Sequence, residues 1–352
     1  MRKVKVAVIG CGSIAKNEHI KHYSNNEMAE IKYLVDIKLE RAEEQAAIYN
    51  VPNAIADYRT VLEDDEVEVV SICTPNDTHA PIAIAFLNAG KHVLCEKPAA
   101  MNMEQVLEMK AAADRNNRML SIGVVNRFNT AVNHIKQMID DGELGKVYHV
   151  YCSFRAHRSI PGLGGPFTTK SKAGGGVLID WGVHFLDLIF YSLGQPTIQT
   201  VSGAVHSELA KDMDKYAYVG MWAGPPDYNG TYDVEDFVTG LLRTSGPTIN
   251  LNGAWAQNIG ESAMFIEFLG DKAGVKLEYG GDFKVYSSKN GVLLETSPSF
   301  TKKNMFYDEI DDFLKSAVNG VKNRANIDQV MVTSEVMDAI YKSAEQGKEI
   351  QL

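Results

Sequence analysis

Lys3-Val4-Lys5-Val6-Ala7-Val8-Ile9-Gly10-Cys11-Gly12-Ser13-Ile14-Ala15 is the stretch on which the reading of the first half of the chain turns. Charged and apolar residues alternate over Lys3–Ile9 and then give way to a wholly apolar run, as in a strand passing from the edge of a sheet into its core. The run breaks at Gly10-x-Gly12-x-x-Ala15, and Ser13–Ser24 then carries helical spacing. Gly10 permits a tight turn, and Gly12, lacking a Cβ, lets an anionic group reach the backbone. Ala15 is small enough for the helix to lie close on the strand, and the helix N-terminus offers unpaired N–H groups to that anion.

The same rhythm continues outward. Ile31–Val35, Val67–Ile72, His92–Cys95 and Met119–Gly123 are short runs rich in Val, Ile and Leu. They alternate with helical segments at Leu39–Tyr49, Thr78–Asn88 and Met103–Asn116, and Gly90 stands where a C-terminal cap belongs. Apolar strands separated by helices predict a parallel sheet covered on both faces, a doubly wound α/β domain over residues 1–125. Asp36 closes the second strand about 20 residues beyond the glycine turn, where an acid accepts hydrogen bonds from ribose hydroxyls and repels a 2′-phosphate. The turn, its helix and that acid together predict a dinucleotide site. NAD is favoured, with NADP left open by Lys38.

Cofactor contacts are expected from Gly10, Cys11, Gly12, Ser13, Ile14 and Asp36. Ligands of open parallel sheets lie at the carboxyl ends of the strands. Thr74-Pro75-Asn76-Asp77-Thr78-His79, Glu96-Lys97-Pro98 and Asn126-Arg127-Phe128 are therefore expected to line one crevice. Thr74, Pro75, Asn76, His79, Glu96, Lys97 and Arg127 join the cofactor set, and Thr78 reads as the cap of the helix that follows. Lys97 follows an apolar strand, is held by the Pro98 ring and is aimed at the nicotinamide side of the crevice.

From Val147 the period changes to two. Val147–Arg155, Val234–Arg243, Thr248–Gln257, Ala263–Leu269 and Val275–Tyr279 alternate, and Gly270-Asp271 and Asn290-Gly291 suit hairpin turns. A large antiparallel sheet with one face free to pack is expected. Two long loops interrupt it, Ala156–Gly176 and Ser207–Tyr232, and loops of that length are usually binding loops or lids. Gly174-Gly175-Gly176 ends the first, and a helix over Val177–Leu193 follows, stopped by Gly194. Asp180 and His184 stand four apart on one face, about 5–6 Å between Cβ atoms. An acid there stabilises an imidazolium and biases the ring, which prepares a general base near neutral pH. Asp187 is a further neighbour of His184.

The chain has 352 residues, enough for two domains, and 35 basic against 45 acidic residues give a formal charge of −10. Such a surface repels phosphate backbones and anionic lipid, which argues against nucleic acid or membrane as the main partner. No apolar run approaches the roughly 20 residues of a membrane span, and the apolar start is too short for a signal peptide. Cys11, Cys73, Cys95 and Cys152 form no CxxC pair and read as free buried thiols of a reducing, cytoplasmic compartment. The nine histidines form no ligand cluster, so no metal is expected, and His19 and His22 are expected on an exposed helix face.

Gly10-x-Gly12-x-x-Ala15, Glu96-Lys97-Pro98 and Gly174-Gly175-Gly176-…-Asp180-x-Gly182-x-His184-…-Asp187 together resemble the Gfo/Idh/MocA oxidoreductases, the group of glucose–fructose oxidoreductase and inositol dehydrogenase. The resemblance runs through nearly the whole chain, to the helical segment Asp328–Gln346. It implies an N-terminal Rossmann domain over 1–125 and, over 126–352, a C-terminal α/β domain for substrate binding and oligomerisation. That second domain would be built on a large open, mainly antiparallel sheet. It also implies a Lys–Asp–His catalytic set carried by Lys97, Asp180 and His184, homodimers or homotetramers formed through the sheet, and sugar or polyol substrates.

Removing hydride from a secondary alcohol also requires removing the hydroxyl proton. His184 is expected to take it, Asp180 to orient the imidazole, and Lys97 to stabilise the developing alkoxide, while the cofactor carries the hydride. Substrate contacts are expected from Lys97, Arg155, His157, Asp180 and His184. Arg158, Lys170, Lys172, Arg127, Trp255, Gln257 and Tyr307 are weaker candidates, and Ala156–Gly176 is a candidate lid. The expected activity is NAD-dependent oxidation of a secondary hydroxyl of a sugar, glycoside or cyclitol. One alternative is redox-neutral sugar chemistry (hydrolysis, elimination or epimerisation) with tightly held NAD, and another is a dinucleotide-responsive regulator without turnover.

Overall fold

The computed structural model describes residues 3–352, so Met1 and Arg2, counted above in the first domain and in the start of the chain, lie outside it. The described residues divide into two compact units, one of residues 3–128 and 304–331, the other of 129–303 and 332–352. Residues 304–331, which the sequence reading counts with the C-terminal domain, thus pack with the N-terminal unit.

In the first unit, β1 (Val4–Ile9), β2 (Ala29–Val35), β3 (Asn53–Ile55), β4 (Val69–Ile72), β5 (His92–Glu96) and β6 (Leu120–Gly123) form one sheet in the order β3-β2-β1-β4-β5-β6. Every pair is parallel. This is the doubly wound dinucleotide-binding order, with its switch point between β1 and β4. The helices Leu39–Tyr49 and Met103–Asn116 fall where their spacing predicts, each stopped by an asparagine in the left-handed region, Asn50 and Asn117. The helix Asn76–Asn88 is followed by Gly90 at φ +75°. Its N-terminal cap is Pro75, not Thr78. Thr78 lies in the first turn, where its hydroxyl donates back to the Pro75 carbonyl at 2.7 Å.

The returning segment 304–331 completes this unit. Ile310, Phe313 and Leu314 of the helix Met305–Asn319 join the core beneath one face of the sheet, and Ala325, Ile327 and Val330 the core on the other. The Ala325 carbonyl accepts the Ile122 N–H at 3.0 Å, and Ser121 bridges antiparallel to Asn326, so the free edge of β6 is covered.

The second unit holds β7 (Val147–Arg155), β8 (Ile198–His206), β9 (Phe237–Thr244), β10 (Thr248–Ala254), β11 (Ala263–Gly270), β12 (Ala273–Glu278), β13 (Phe283–Lys289), β14 (Val292–Thr296) and β15 (Ile350–Gln351). They form a nine-stranded sheet ordered β14-β13-β12-β11-β7-β10-β9-β8-β15. All pairs are antiparallel except β7 with β10. Asn290 and Gly291, both at positive φ, make the two-residue hairpin between β13 and β14 that their identities predict. Val150, Cys152, Phe154, Val238, Leu242, Leu251 and Ile266 face a core closed by apolar residues of the helices Thr130–Asp140, Val183–Ser192 and the C-terminal helix. Of the alternate positions, Tyr151, Arg243 and Tyr286 are exposed, while Thr239, Leu241, Asn250, Asn252 and Glu267 are half-buried.

Two expectations change here. The helical stretch Lys170–Ser192 is by length and composition apolar enough to cross a membrane, exceeding the expectation that no segment approaches that length. With 78% of its most apolar window buried, it is the core helix of this unit. The long loops do not swing free either. Ile160 and Leu163 belong to the core, the Pro161 carbonyl accepts the Ala223 N–H, the Leu163 carbonyl that of Asp227, and the Thr168 carbonyl that of Asp233. Ala156–Gly176, the candidate lid, is thus packed and laced to Ser207–Tyr232 and to Asp233 just beyond it.

Candidate active site

In the first unit the glycine turn has the shape its residues predict. Gly10 sits at φ +91°, and a Cβ there would come within 2.7 Å of the Cys73 carbonyl oxygen, so only glycine fits. A Cβ on Gly12 would meet nothing within 4 Å, which leaves open space over the turn for an approaching pyrophosphate. Ala15 is fully buried. Lys16 N–H donates to the Gly12 carbonyl at 2.9 Å, so the helix opens at the turn and presents its first N–H groups there. The buried Asp36 lies beside the turn: Oδ2 accepts the Cys11 N–H at 2.9 Å, and Oδ1 that of Lys38 at 2.8 Å. Burial pushes the Cys11 thiol up to about 12. Ser13 is exposed and Ile14 half-buried. These residues fit a dinucleotide: an open glycine backbone, a helix N-terminus for the diphosphate and a carboxylate for ribose hydroxyls.

At the next strand ends, Thr74 and Asn76 are half-buried and Pro75 exposed. His79, expected at the cofactor, is 1% exposed, with Nδ1 2.8 Å from the Pro98 carbonyl and Nε2 2.8 Å from that of Thr74. Burial pushes its pKa down against the pull of the two carbonyls, and a neutral ring donates its one N–H to either of them. Arg127, also expected at the cofactor, is wholly buried. Its guanidinium donates to the Arg324 carbonyl at 2.5 Å and to the Gln329 side chain at 3.0 Å, which fastens the returning segment to this unit.

Lys97 stands half-buried just past β5. Behind it Glu96 is buried, its Oε2 accepting the Lys97 N–H at 3.1 Å and its Oε1 2.8 Å from His19 Nε2, while His19 Nδ1 lies 2.7 Å from Ser71 Oγ. Burial alone would raise Glu96, but the hydrogen bond and charge of His19 hold it below the usual carboxylate range. Burial opposes charge on His19 too, and Cys73 and Glu96 together outweigh it and hold the imidazole well above its ordinary value. The expected exposed face for His19 and His22 is overturned. A π-helical turn over Ala15–His19 shifts the helical phase and turns His19 inward, and His22 is 5% exposed.

In the second unit the glycine run has a separate role at each position. Gly174 takes φ +88°, while a Cβ on Gly175 would collide with the Tyr341 hydroxyl and one on Gly176 with the Glu235 carbonyl. Glu235 is the organiser of this corner. Its carboxylate accepts the N–H groups of Gly176 at 2.9 Å and Leu178 at 3.0 Å and the Tyr341 hydroxyl at 2.8 Å, capping the helix that follows. Burial pushes Glu235 up despite those bonds. Glu235 and Asp236, read as part of a strand, stand instead before β9, because their carboxylates are spent on loop and helix N–H groups, those of Glu208 and Leu209 for Asp236.

The capped helix starts with a π-helical turn over Leu178–Gly182 and continues as an α-helix to Ser192. Asp180 and His184, four apart across that junction, are both half-buried. A π-turn bonds i to i+5, so residues four and five apart remain neighbours on its surface. Asp187 is buried and accepts from the Thr333 hydroxyl at 3.4 Å. Arg155 donates its Nε to Ser153 Oγ at 3.1 Å, and the exposed His157 has Nδ1 3.1 Å from the Gln257 carbonyl. Arg158 is spent on the His157 and Gln257 carbonyls and Asn258, Trp255 is wholly buried in the core, and Tyr307 packs edge-on to His22 in the first unit. Lys170 and Lys172 are exposed.

Residues 4–124 match the oxidoreductase family with an NAD-binding Rossmann fold, and residues 132–276 match the Gfo/Idh/MocA C-terminal domain. The chain belongs to the Gfo/Idh/MocA family. As a member it is an NAD(P)-dependent dehydrogenase, and its first unit is the NAD-binding one. It is 30% identical over 352 residues to the D-glucoside 3-dehydrogenase of Escherichia coli, covering 99% of this chain and 97% of that protein. Its fold is that of aldose-aldose oxidoreductase from Caulobacter crescentus, solved with glycerol (TM-score 0.83, 24% identity, all of both chains covered). Levoglucosan dehydrogenase, solved with NADH and levoglucosan, has the same fold (TM-score 0.86, 22% identity, 99% of each chain).

The missed residues are His19, Ser71, Glu235 and Tyr341. Two consecutive acids inside an otherwise apolar strand pattern, Glu235-Asp236, were a usable signal for one of them.

Proposed function

We propose that this protein oxidises a secondary hydroxyl of a sugar, glycoside or cyclitol, preferentially C3 of a glucoside, with Lys97, Asp180 and His184 acting on one substrate hydroxyl. The observation that carries the reading is the clamped helix. The glycine run, Glu235 and Tyr341 fix the start of a helix that presents Asp180 and His184 four residues apart at half-buried positions. The choice of glucoside draws on the relative that matches end to end, whose substrate class its name states.

His184 accepts the hydroxyl proton on an imidazole nitrogen, and Asp180 orients that ring and balances its charge. The Lys97 ammonium stabilises the oxygen as negative charge builds on it, and polarises the carbonyl in the reverse direction. Gly10, Cys11, Gly12, Ser13, Ile14, Asp36, Thr74, Pro75, Asn76 and Lys97 would hold NAD, which supplies the hydride acceptor, whereas both carboxylate oxygens of Glu96, expected in that set, are taken by His19 and the Lys97 N–H. Arg155 and His157 would contact the far side of the sugar. Four unpaired buried cysteines fit a reducing cytoplasm, and the exposed face of the nine-stranded sheet fits a homodimer or homotetramer.

The test follows nicotinamide absorbance with NAD and NADP against methyl glucosides, free glucose, levoglucosan and inositols, with the keto position assigned by NMR. Reduction of NAD by a glucoside with a 3-keto product is expected. No turnover of any of them sinks the reading, and nicotinamide that stays bound through gel filtration moves it to redox-neutral chemistry.

A further inference from the structure

The buried pair His19–Glu96 has no place in the proton transfer described above, yet it lies directly behind the residue that carries the cation. Glu96 Oε2 accepts the backbone N–H of Lys97 at 3.1 Å, and Oε1 meets His19 Nε2 at 2.8 Å. His19 is completely buried, and its other nitrogen is anchored 2.7 Å from Ser71 Oγ at the end of β4. Space is reserved for the carboxylate: a Cβ on Gly123, the residue paired with Glu96 across β5 and β6, would fall 3.1 Å from it. The helix is re-phased as well, because His19 closes the π-helical turn that follows the glycine turn.

A buried ion pair is weak as a stabiliser, and well-packed apolar residues of the same volume commonly do as well or better. The neighbouring positions of β4 and β5, Val70, Ile72, Leu94 and Cys95, are filled in just that apolar way. An exception confined to the last residue before Lys97, with a cleared glycine, a re-phased helix and a serine anchor, is explained by what it does for Lys97. We infer that His19 and Glu96 are positioning residues that fix the Lys97 backbone, and with it the reach of its ammonium group, relative to the helix of the glycine turn.

This inference rests on the role given to Lys97 above, so its test is a double-mutant cycle. Glu96→Gln keeps an acceptor for the Lys97 N–H but removes the charge. It is expected to lower kcat about 10- to 100-fold, the scale of a misplacement of up to about 1 Å, with NADH affinity read by fluorescence changed less than about 3-fold. In a Lys97→Met background the same substitution is expected to change kcat by less than about 2-fold, since a residue acting through Lys97 has nothing left to position. An equal loss in both backgrounds, or no loss in either, overturns the inference. A Lys97→Met enzyme with unimpaired kcat instead overturns the role of Lys97 itself. Should Glu96→Gln unfold the protein by stranding a charged His19, the paired His19→Gln/Glu96→Gln variant carries the same cycle with a neutral pair.

Discussion

Glu96 and Glu235 are both buried acids, and each holds the backbone of a segment expected to do chemistry: Lys97 in one unit, the helix of Asp180 and His184 in the other. Their surroundings differ in one respect. Glu96 shares its burial with an imidazole that it and Cys73 hold well above its ordinary value, and Glu96 is itself held below the usual range. Glu235 is offered more hydrogen bonds, from two backbone N–H groups and a tyrosine, but all from neutral donors, and burial pushes it up. Dipoles at a helix N-terminus amount to about half a charge shared among several groups. In a dry site that fraction does not offset desolvation as a facing cation does. Lys97 is therefore backed by a salt-bridged anchor, and the Asp180–His184 helix by a hydrogen-bonded cap.

The sharpest way to break this division of labour is to remove the group assigned to proton transfer. His184→Ala is expected to reduce kcat about 10²- to 10⁴-fold, with NADH affinity by fluorescence titration nearly unchanged because the glycine cradle belongs to the other unit. Loss of cofactor binding with intact turnover would reverse the assignment. Gly176→Ala comes next. Its Cβ runs into the Glu235 carbonyl, and chemical denaturation is expected to show about 1–3 kcal/mol of destabilisation. Gly12→Ala, facing open space, should leave folding within about 0.5 kcal/mol and weaken NAD binding instead.

Tyr341→Phe removes one neutral donor from Glu235 and is expected to cost about 1 kcal/mol without touching cofactor affinity. The smallest effect is one of sign, read from unfolding free energy against pH. Glu96, depressed in the fold, contributes stability above the ordinary carboxylate pKa that is lost as pH falls through its lower folded value. Glu235, raised in the fold, works the other way: stability declines as pH rises from the ordinary carboxylate value through the raised one. His19 adds stability that is complete below 6.5 and lost as pH rises through its higher folded value. Glu96→Gln and Glu235→Gln should thus change the acid limb in opposite directions, and matching changes would erase the contrast drawn between the two acids.

Much of this was legible in the letters. Leu39–Tyr49, Met103–Asn116 and Val147–Arg155 lie where periodicity puts them, and Gly10, Gly12 and Ala15 keep the separate tasks their sizes suggest. Periodicity assumes one residue spacing per helix, and both π-helical turns break that assumption. The first hid His19, which an α-helical reading places on the outer face. The edge hairpin of β13 and β14 escaped as strands because β14 buries nothing and its pattern alternates against no core. Arg127 and His79 illustrate a different limit. Their positions at strand ends were right, but sequence does not reveal that neighbouring carbonyls take up their donors.

The return of residues 304–331 to the first unit has a consequence for biosynthesis. Domains emerging from the ribosome generally fold in order, first half first. Here the nucleotide-binding half leaves the exit tunnel without Phe313, Leu314, Ile327 and Val330, and with the rim of β6 bare. Until the rest of the polypeptide has been made, the apolar partners of those four side chains lack their cover, and exposed surface of that kind is what drives partly made chains to aggregate. A premature stop after β14 would take Phe313, Leu314, Ile327 and Val330 from the first unit and β15 from the sheet of the second.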